Sequence, residues 1–395
     1  MNMLKDVVVV SAVRSAIGTY GGSLKDISLG DLAARVVAEA LKRATVSGDE
    51  VGQVVFGNVI HSEPRDMYLA RVAALNAGIT ETAPALTLNR LCGSGLQAVI
   101  SAAQQIQLGL CEVVVAGGAE SMSRAPYHLP TARFGQRMGD GVMVDPMVSA
   151  LTCPFNHIHM GVTAENVAEK FGISREDQDA YAVEGQHRAQ RAIENGHFAS
   201  QILPVELKSR KGVLEFKQDE HVRFDCTLED LQKLKPVFKK DGTVTAGNAS
   251  GLNDGAAALV MMERSAAEAR GLPVMGRLVD YAVYGVAPEI MGIGPVPVIR
   301  QILERQGLEA NDIDVYEVNE AFAAQALAVA RELELPAERL NPNGSGIALG
   351  HPIGATGAII TVKALYELQR VGGRYAMVSL CIGGGQGVAA LFARD

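Results

Sequence analysis

Twice along this chain an apolar strand runs out into glycine. Val113-Val114-Val115-Ala116 is followed by Gly117-Gly118, and Tyr375 to Leu380 by Cys381 and the run Gly383-Gly384-Gly385-Gln386-Gly387. Residue identity between the two stretches is weak, yet each closes a run in which strand alternates with helix. That alternation means a sheet with helices on its faces. The recurrence predicts two copies of one α/β unit. At 395 residues the chain is too long for one ordinary domain and suggests two or three.

In the first copy, Asp6 to Ala12 reads as a buried strand with four consecutive valines. Ser28 to Ala44 has helical periodicity, with Ser28 as its N-cap. Gln53 to Gly57 is a second strand, Leu69 to Ala77 a short helix, Leu96 to Ile106 a longer one, and Glu112 to Ala116 a third strand. In the second copy, Val296 to Gln306 and Ala321 to Leu333 read as helices around the strand Ile313 to Val318. Gly357 to Arg370 is a further helix, and Tyr375 to Leu380 and Val388 to Phe392 form a hairpin. Between the copies, residues 121–248 are richer in charge and hold six of the eight histidines. There Ser174-Arg175-Glu176-Asp177 predicts a capping box opening a helix from Gln178 to Asn195. Residues 245–255 return the chain to the first copy, whose last strand is expected at Ala256 to Met262.

Three glycine-rich bends carry reactive side chains. Cys92, in Asn89-Arg90-Leu91-Cys92-Gly93-Ser94-Gly95, stands just before a helix. There unpaired N–H groups and the helix dipole favour thiolate, the nucleophilic form. Gly93 and Gly95 leave room for a close approach. His351 stands between Gly350 and Pro352 in residues 341–357, a stretch too glycine-rich for helix or strand. Cys381 ends an apolar strand. An activated thiol, its base and a second acid/base would look like this.

These segments, with Asn319-Glu320-Ala321-Phe322-Ala323, closely resemble the thiolase family. The likeness runs from Val7-Val8-Val9-Val10-Ser11-Ala12-Val13-Arg14 to the C-terminus, with the motifs in the family's order. Within the family the chain looks most like the acetyl-CoA acetyltransferases and short-chain β-ketothiolases of bacteria. The resemblance implies an α/β fold of five αβαβα layers, duplicated, with an inserted loop domain. The expected division is 1–120 completed by 249–270, then 121–248 as the loop domain covering coenzyme A, then 271–395. It implies reversible Claisen condensation of acetyl-CoA with an acyl-CoA to a 3-ketoacyl-CoA, such as acetoacetyl-CoA, in fatty acid metabolism.

The same resemblance assigns roles. Cys92 is the implied nucleophile, since one thioester replaces another at almost no cost in free energy. His351 is its base and, with a water held by Asn319, meets a thioester oxygen; Glu320 lies behind. Cys381 is the second acid/base, a thiol that can be tuned for proton transfer at the α-carbon. The N–H groups of Cys92 and Gly383 form an oxyanion hole, each such donor typically worth ~3 kcal/mol in the transition state. Coenzyme A is expected to meet Leu151, His159, Met160, Arg223, Phe238, Ala246, Ser250 and Phe322. Met291 is expected to line the acyl pocket. Asn341-Pro342-Asn343-Gly344-Ser345-Gly346 departs from the pattern of many acetoacetyl-CoA thiolases, which leaves room for ketovaleryl-type or longer substrates. The segment Ala125 to Met143 matches the one that links dimers into a homotetramer.

Composition narrows the field. A net charge of -8 argues against nucleic acid as a partner. Five cysteines with no C-x-x-C pair argue against a disulfide framework or a zinc module. His157 and His159 form an H-x-H without a carboxylate or Cys at ligand spacing, so no metal is expected. Neither a phosphate-cradling loop ending in Gly-Lys-Ser/Thr nor a dinucleotide fingerprint occurs, so coenzyme A enters as substrate and no permanent cofactor is expected. No apolar run reaches the ~18 residues of a membrane helix, and the N-terminus has no secretory signal; the expectation is a cytoplasmic enzyme. Two rivals share the fold: a decarboxylating ketoacyl synthase, whose third group is His or Asn where this chain has Cys381, and a non-catalytic acyl-CoA or lipid carrier, which often lacks one of the groups present here.

Overall fold

The computed structural model describes residues 4–209 and 212–394. The first half runs β1 (Val7–Ser15), α1 (Leu29–Ala44), β2 (Gln53–Gly57), α2 (Leu69–Asn76), β3 (Ala85–Leu88), α3 (Ser94–Gln107) and β4 (Val113–Ser121). A long excursion containing α4 (Met160–Phe171) and α5 (Arg175–Glu194) returns as β5 (Asn253–Glu263). The second half runs β6 (Gly276–Gly285), α6 (Pro295–Gln306), β7 (Val315–Val318), α7 (Ala323–Glu332), α8 (Thr356–Val371), β8 (Tyr375–Ile382) and β9 (Gln386–Ala393).

The strands lie in the order β3-β2-β4-β5-β1, then β6-β9-β8-β7. In the first set β2 is parallel to β3 and β4, and β5 is antiparallel to β4 and β1. In the second, β7 is parallel to β8, and β9 is antiparallel to β8 and β6. A parallel bridge from Tyr316 to Leu340 stands where β3 stands in the first set. Matched along the chain, the halves therefore repeat one β-α-β-α-β-α-β-β unit. They join edge to edge where Val8 and Val9 of β1 pair Arg277 and Gly276 of β6.

Helix α1 covers the outer face of the first half and α6 that of the second, while α3 and α8 pack on each other and reach strands of both. This gives the αβαβα layering. β1 and β4 are buried at every residue, because both faces are covered; an alternating pattern would belong to a half-exposed sheet. α8 is buried nearly all round, as a helix in the middle layer must be. The starts of α3 and α8 touch backbone to backbone. A methyl group on Gly95 would stand 2.5 Å from Ala358 N, and one on Gly357 2.2 Å from Leu96 N. Glycine at both positions is what lets the bends preceding these helices, bearing Cys92 and His351, come together.

Several local expectations change. Ser28 occupies the N-cap of α1 but makes no side-chain cap; its hydroxyl donates to Glu63 Oε1 at 2.6 Å, because Glu63 offers an ionised acceptor. Ser174 caps Asp177 N at 3.0 Å, yet the Asp177 carboxylate binds Arg331 at 2.7 Å, so only half of the capping box forms. Residues 341–357 are not all loop: Gly346–Leu349 make one helical turn. The helix expected from Ala321 starts at Ala323, with Phe322 extended at its N-cap. Nor is the excursion detached from the first half. Ile202–Leu203 pair with Arg14 and Ser15 of β1, and buried Arg14 makes a two-pronged ion pair with Asp219 at 2.7 and 2.9 Å.

Candidate active site

The Cys92 bend is held by its own polar side chains. Leu91 N–H donates to Asn89 Oδ1 at 2.8 Å, which helps hold Leu91 at φ 45°, a left-handed conformation that costs a branched residue energy. Ser94 Oγ accepts from Arg90 N–H at 2.8 Å and donates to Leu91 O at 2.7 Å. The helix-terminus expectation for the thiol does not hold. Gly93 and Ser94 N–H are taken by Arg90 O and Leu91 O, at 3.1 and 2.9 Å. Burial instead pushes the Cys92 thiol up to about 11, while backbone N–H groups of Gly383 and of Cys92 itself pull it back. Desolvation outweighs the dipole because the wall around the sulfur is apolar.

The His351 ring has one orientation. Thr356 Oγ1 donates to Pro352 O at 2.8 Å and lies 2.7 Å from His351 Nδ1. The only Thr356 hydroxyl proton is committed, so Nδ1 carries hydrogen and donates to Thr356, leaving Nε2 as a bare acceptor. Asn319 Nδ2 stands 3.4 Å from that Nε2. Burial lowers the His351 pKa to about 4, which keeps the ring neutral at physiological pH. His351 N–H is fixed by Asn253 Oδ1 at 2.9 Å, at the start of β5.

Cys381 lies within β8 opposite Gly387 and is fully buried against Cys153, Met160, Met291 and Phe322. Burial, and then the neighbouring Cys92, push its thiol strongly up. Asn319 is also fully buried and reaches the site only through His351; its Oδ1 has no protein partner among the described residues. Glu320 accepts from Tyr181 OH and Asn341 Nδ2, each at 2.8 Å, and burial holds its carboxyl above the usual range. Neither Cys381 nor Asn319 forms cavity wall.

A cavity of about 450 Å³ opens beside Cys92, His351 and Gly383. Leu151, His159, Met160, Arg223, Phe238, Ala246, Ser250, Phe322 and Met291 all line it. His159 accepts from Gly161 N–H at 3.0 Å and stacks on Phe238 at 4.7 Å, and Phe238 meets Phe322 edge-on at 6.3 Å. Gly161 has no alternative here, since a methyl group would stand 2.2 Å from the Phe238 ring. Arg223 is exposed at the rim. None of residues 341–346 lines the cavity. Asn341 pairs with Val318 and Glu320, and Asn343 with Glu367, so the substrate range does not follow from contact with that motif.

Sequence reasoning missed Met122, Met147 and Ile353, apolar wall near Cys92, and His221, which burial keeps neutral with a pKa of about 4. Met122 and Met147 carry no motif. His221 had one weak signal, standing two residues before Arg223.

Two family models cover the chain: one described as "Thiolase, N-terminal domain" over residues 7–265, and one as "Thiolase, C-terminal domain" over 272–394. The chain is 65% identical to beta-ketothiolase BktB of Cupriavidus necator, over 99% of this chain and 100% of that one. It is 50% identical to acetyl-CoA acetyltransferase of Pseudomonas aeruginosa, again over 99% and 100%. Among solved structures it matches human mitochondrial 3-ketoacyl-CoA thiolase in complex with CoA, with a TM-score of 0.96 and 46% identity over 100% and 99% of the two chains.

Proposed function

The chain belongs to the thiolase family, and we propose that Cys92 carries the acyl group while Cys381 moves the proton at the α-carbon. As a thiolase it condenses acetyl-CoA with an acyl-CoA to a 3-ketoacyl-CoA, and cleaves the product with coenzyme A in reverse. The observation that carries the assignment is that Cys92, Gly383 and His351, whose Nε2 is bare, line one cavity.

His351 Nε2 takes the Cys92 proton as the sulfur attacks the thioester carbonyl. A neutral imidazole accepts a proton where an imidazolium could not, and the buried ring is neutral. The N–H groups of Cys92 and Gly383, two residues on the wall of the same cavity, meet the developing oxyanion. Coenzyme A leaves as thiol with the proton from His351. In the second step Cys381, acting as its thiolate, removes a proton from the methyl of acetyl-CoA. The carbanion attacks the acyl-cysteine carbonyl, Cys92 leaves as thiolate, and the Cys381 thiol passes the proton to it.

His159, Phe238 and Phe322 form the aromatic wall proposed for the pantetheine arm, with Arg223 for the phosphates, and Ser250 and Ala246 for the amides. The proposed division follows the expected one, with 121–248 as the cover. A homotetramer is supported by the apolar surface of residues 125–143, where Phe134 and Met138 are 89% and 92% exposed. A cytoplasmic place in fatty acid metabolism suits bacterial relatives acting on acyl-CoA; no helix among the described residues is long and apolar enough to cross a membrane. Thiolysis rates with acetoacetyl-, 3-ketovaleryl- and 3-ketohexanoyl-CoA test the activity and its range. Absence of turnover with all three would overturn it.

A further inference from the structure

The duplication places a second polar cup at the strand ends of the first half. Asn319 follows the β7–β8 pair Val318–Ser379, and Cys381 lies two residues beyond Ser379. Asn58 likewise follows the β2–β4 pair Gly57–Gly118, and Glu120 lies two residues beyond Gly118. Cys381 faces Gly387 on β9, and Glu120 faces Gly255 on β5. Cys92 precedes α3 by two residues, and Gly354 precedes α8 by two. So Asn58, Glu120 and Gly354 repeat the placement of Asn319, Cys381 and Cys92, with a carboxylate for the acid/base and no side chain at the nucleophile position.

Glu120 is fully buried and makes no ion pair among the described residues. Its Oε1 accepts from Asn58 Nδ2 at 3.0 Å and Ile60 N–H at 3.1 Å. Its Oε2 accepts from Val59 N–H at 3.1 Å and Gly354 N–H at 2.8 Å. The last bond joins the halves, because Gly354 lies in the turn that starts at His351 and ends at Thr356, the hydrogen-bond partner of His351 Nδ1. That turn is wedged in place. A methyl group on Gly118 would stand 2.4 Å from Gly354 O, and one on Gly57 2.8 Å from Gly354 O and 2.6 Å from Ser94 C. Gly57 thus seats both the His351 turn and the start of α3 behind Cys92.

We propose that Glu120 is a positioning residue of the catalytic centre: its carboxylate clasps the Gly354 N–H and so sets His351 against Cys92 across the boundary between the halves. The first half's copy of the site has become the mount for the working one. Four donors converge on this carboxylate, and replacing either oxygen by an NH₂ group would turn two of them toward a donor. Burial raises its pKa and the backbone N–H groups of Ile60, Val59 and Gly354 pull it down; all four partners are donors, the set an ionised carboxylate accepts.

The inference rests on the roles given above to Cys92 and His351, and the two can fail separately. Turnover is measured for Glu120→Gln and Glu120→Asp, per mole of Cys92 titrated with iodoacetamide, using acetoacetyl-CoA and coenzyme A. Misplacing a base by about 1 Å costs on the order of 10²-fold. Glu120→Gln is therefore expected to lower kcat by about 10²-fold with KM changed less than about twofold. Glu120→Asp, which keeps the charge at shorter reach, is expected to fall between. Unchanged kcat with only a lowered melting temperature would show a structural carboxylate and overturn the proposal. If Glu120→Gln does not fold, Glu120→Asp decides alone: a kcat loss at constant KM supports the clasp, and a wild-type kcat overturns it. Failure of the Cys92 assignment would show instead as turnover in Cys92→Ser.

Discussion

The two ends of the cavity are built differently. At the Cys92 end, Cys92, His351 and Cys381 stand close to the ends of strands and helices in the duplicated halves; His351 and Cys381 are buried, Cys92 is half-buried, and His351 is fixed by hydrogen bonds of 2.7 and 2.9 Å. At the Arg223 end, most of the wall comes from the inserted excursion, where Phe238 and His159 are half-buried and Ala246 and Arg223 exposed. The difference teaches that topology sets the chemistry and the insertion sets the grip. Changes at the first end should appear in kcat, and changes at the second in KM.

The largest expected effect belongs to Cys92→Ser, which should lower thiolysis by about 10⁴-fold or more. A serine hydroxyl is far less acidic than a thiol and its ester is a poorer exchange partner for a thioester. Steady-state thiolysis of acetoacetyl-CoA measures this, and activity within tenfold of wild type would move the nucleophile elsewhere. Next comes Cys381→Ala, which should lower condensation by about 10²–10⁴-fold, the usual worth of a placed acid/base. A coupled assay of acetoacetyl-CoA formation reads it, and a near-normal rate would remove Cys381 from proton transfer.

A smaller effect tests the electrostatics of the same end. The Cys92 thiol is raised to about 11 from 9.0, first by burial. Below that value each drop of one pH unit should cut the thiolate, and with it alkylation by iodoacetamide, about tenfold. The facing groups do not reverse the sign: His351 is neutral, Cys381 is a protonated thiol, and Glu120 carries no positive charge. A plateau of the rate at or below pH 8 would contradict the account. The smallest effect lies at the far end. Phe238→Ala removes the ring that stacks on His159 and meets Phe322. It should raise KM for coenzyme A up to about tenfold with little change in kcat. A kcat loss larger than the KM change would erase the contrast between the ends.

The fold was legible because strand followed helix in the same order twice and the motifs were long. The catalytic bends were legible for a related reason. Gly95, Gly354 and Gly357 stand where backbone must touch backbone, and such contacts leave little freedom to the sequence. Three features were not legible. Whether Ser28 or Asp177 completes a cap depends on Glu63 and Arg331, distant partners that no local pattern reveals. The protonation of Cys92 depends on desolvation by the folded surroundings and on Arg90 O and Leu91 O taking the N–H groups of Gly93 and Ser94, neither of which the local pattern reveals. The apolar wall of Met122, Met147 and Ile353 forms only on folding, from residues with no chemistry of their own.

The central claim is that the two thiols act in succession, Cys92 carrying the acyl group and Cys381 moving the proton. It is tested most directly by mixing Cys381→Ala with acetyl-CoA and taking the intact-protein mass. The account predicts one acetyl group on the protein, mapped to Cys92, with no acetoacetyl-CoA formed and no exchange of deuterium into the methyl of acetyl-CoA. Acetylation lost along with condensation, or condensation retained, would contradict it.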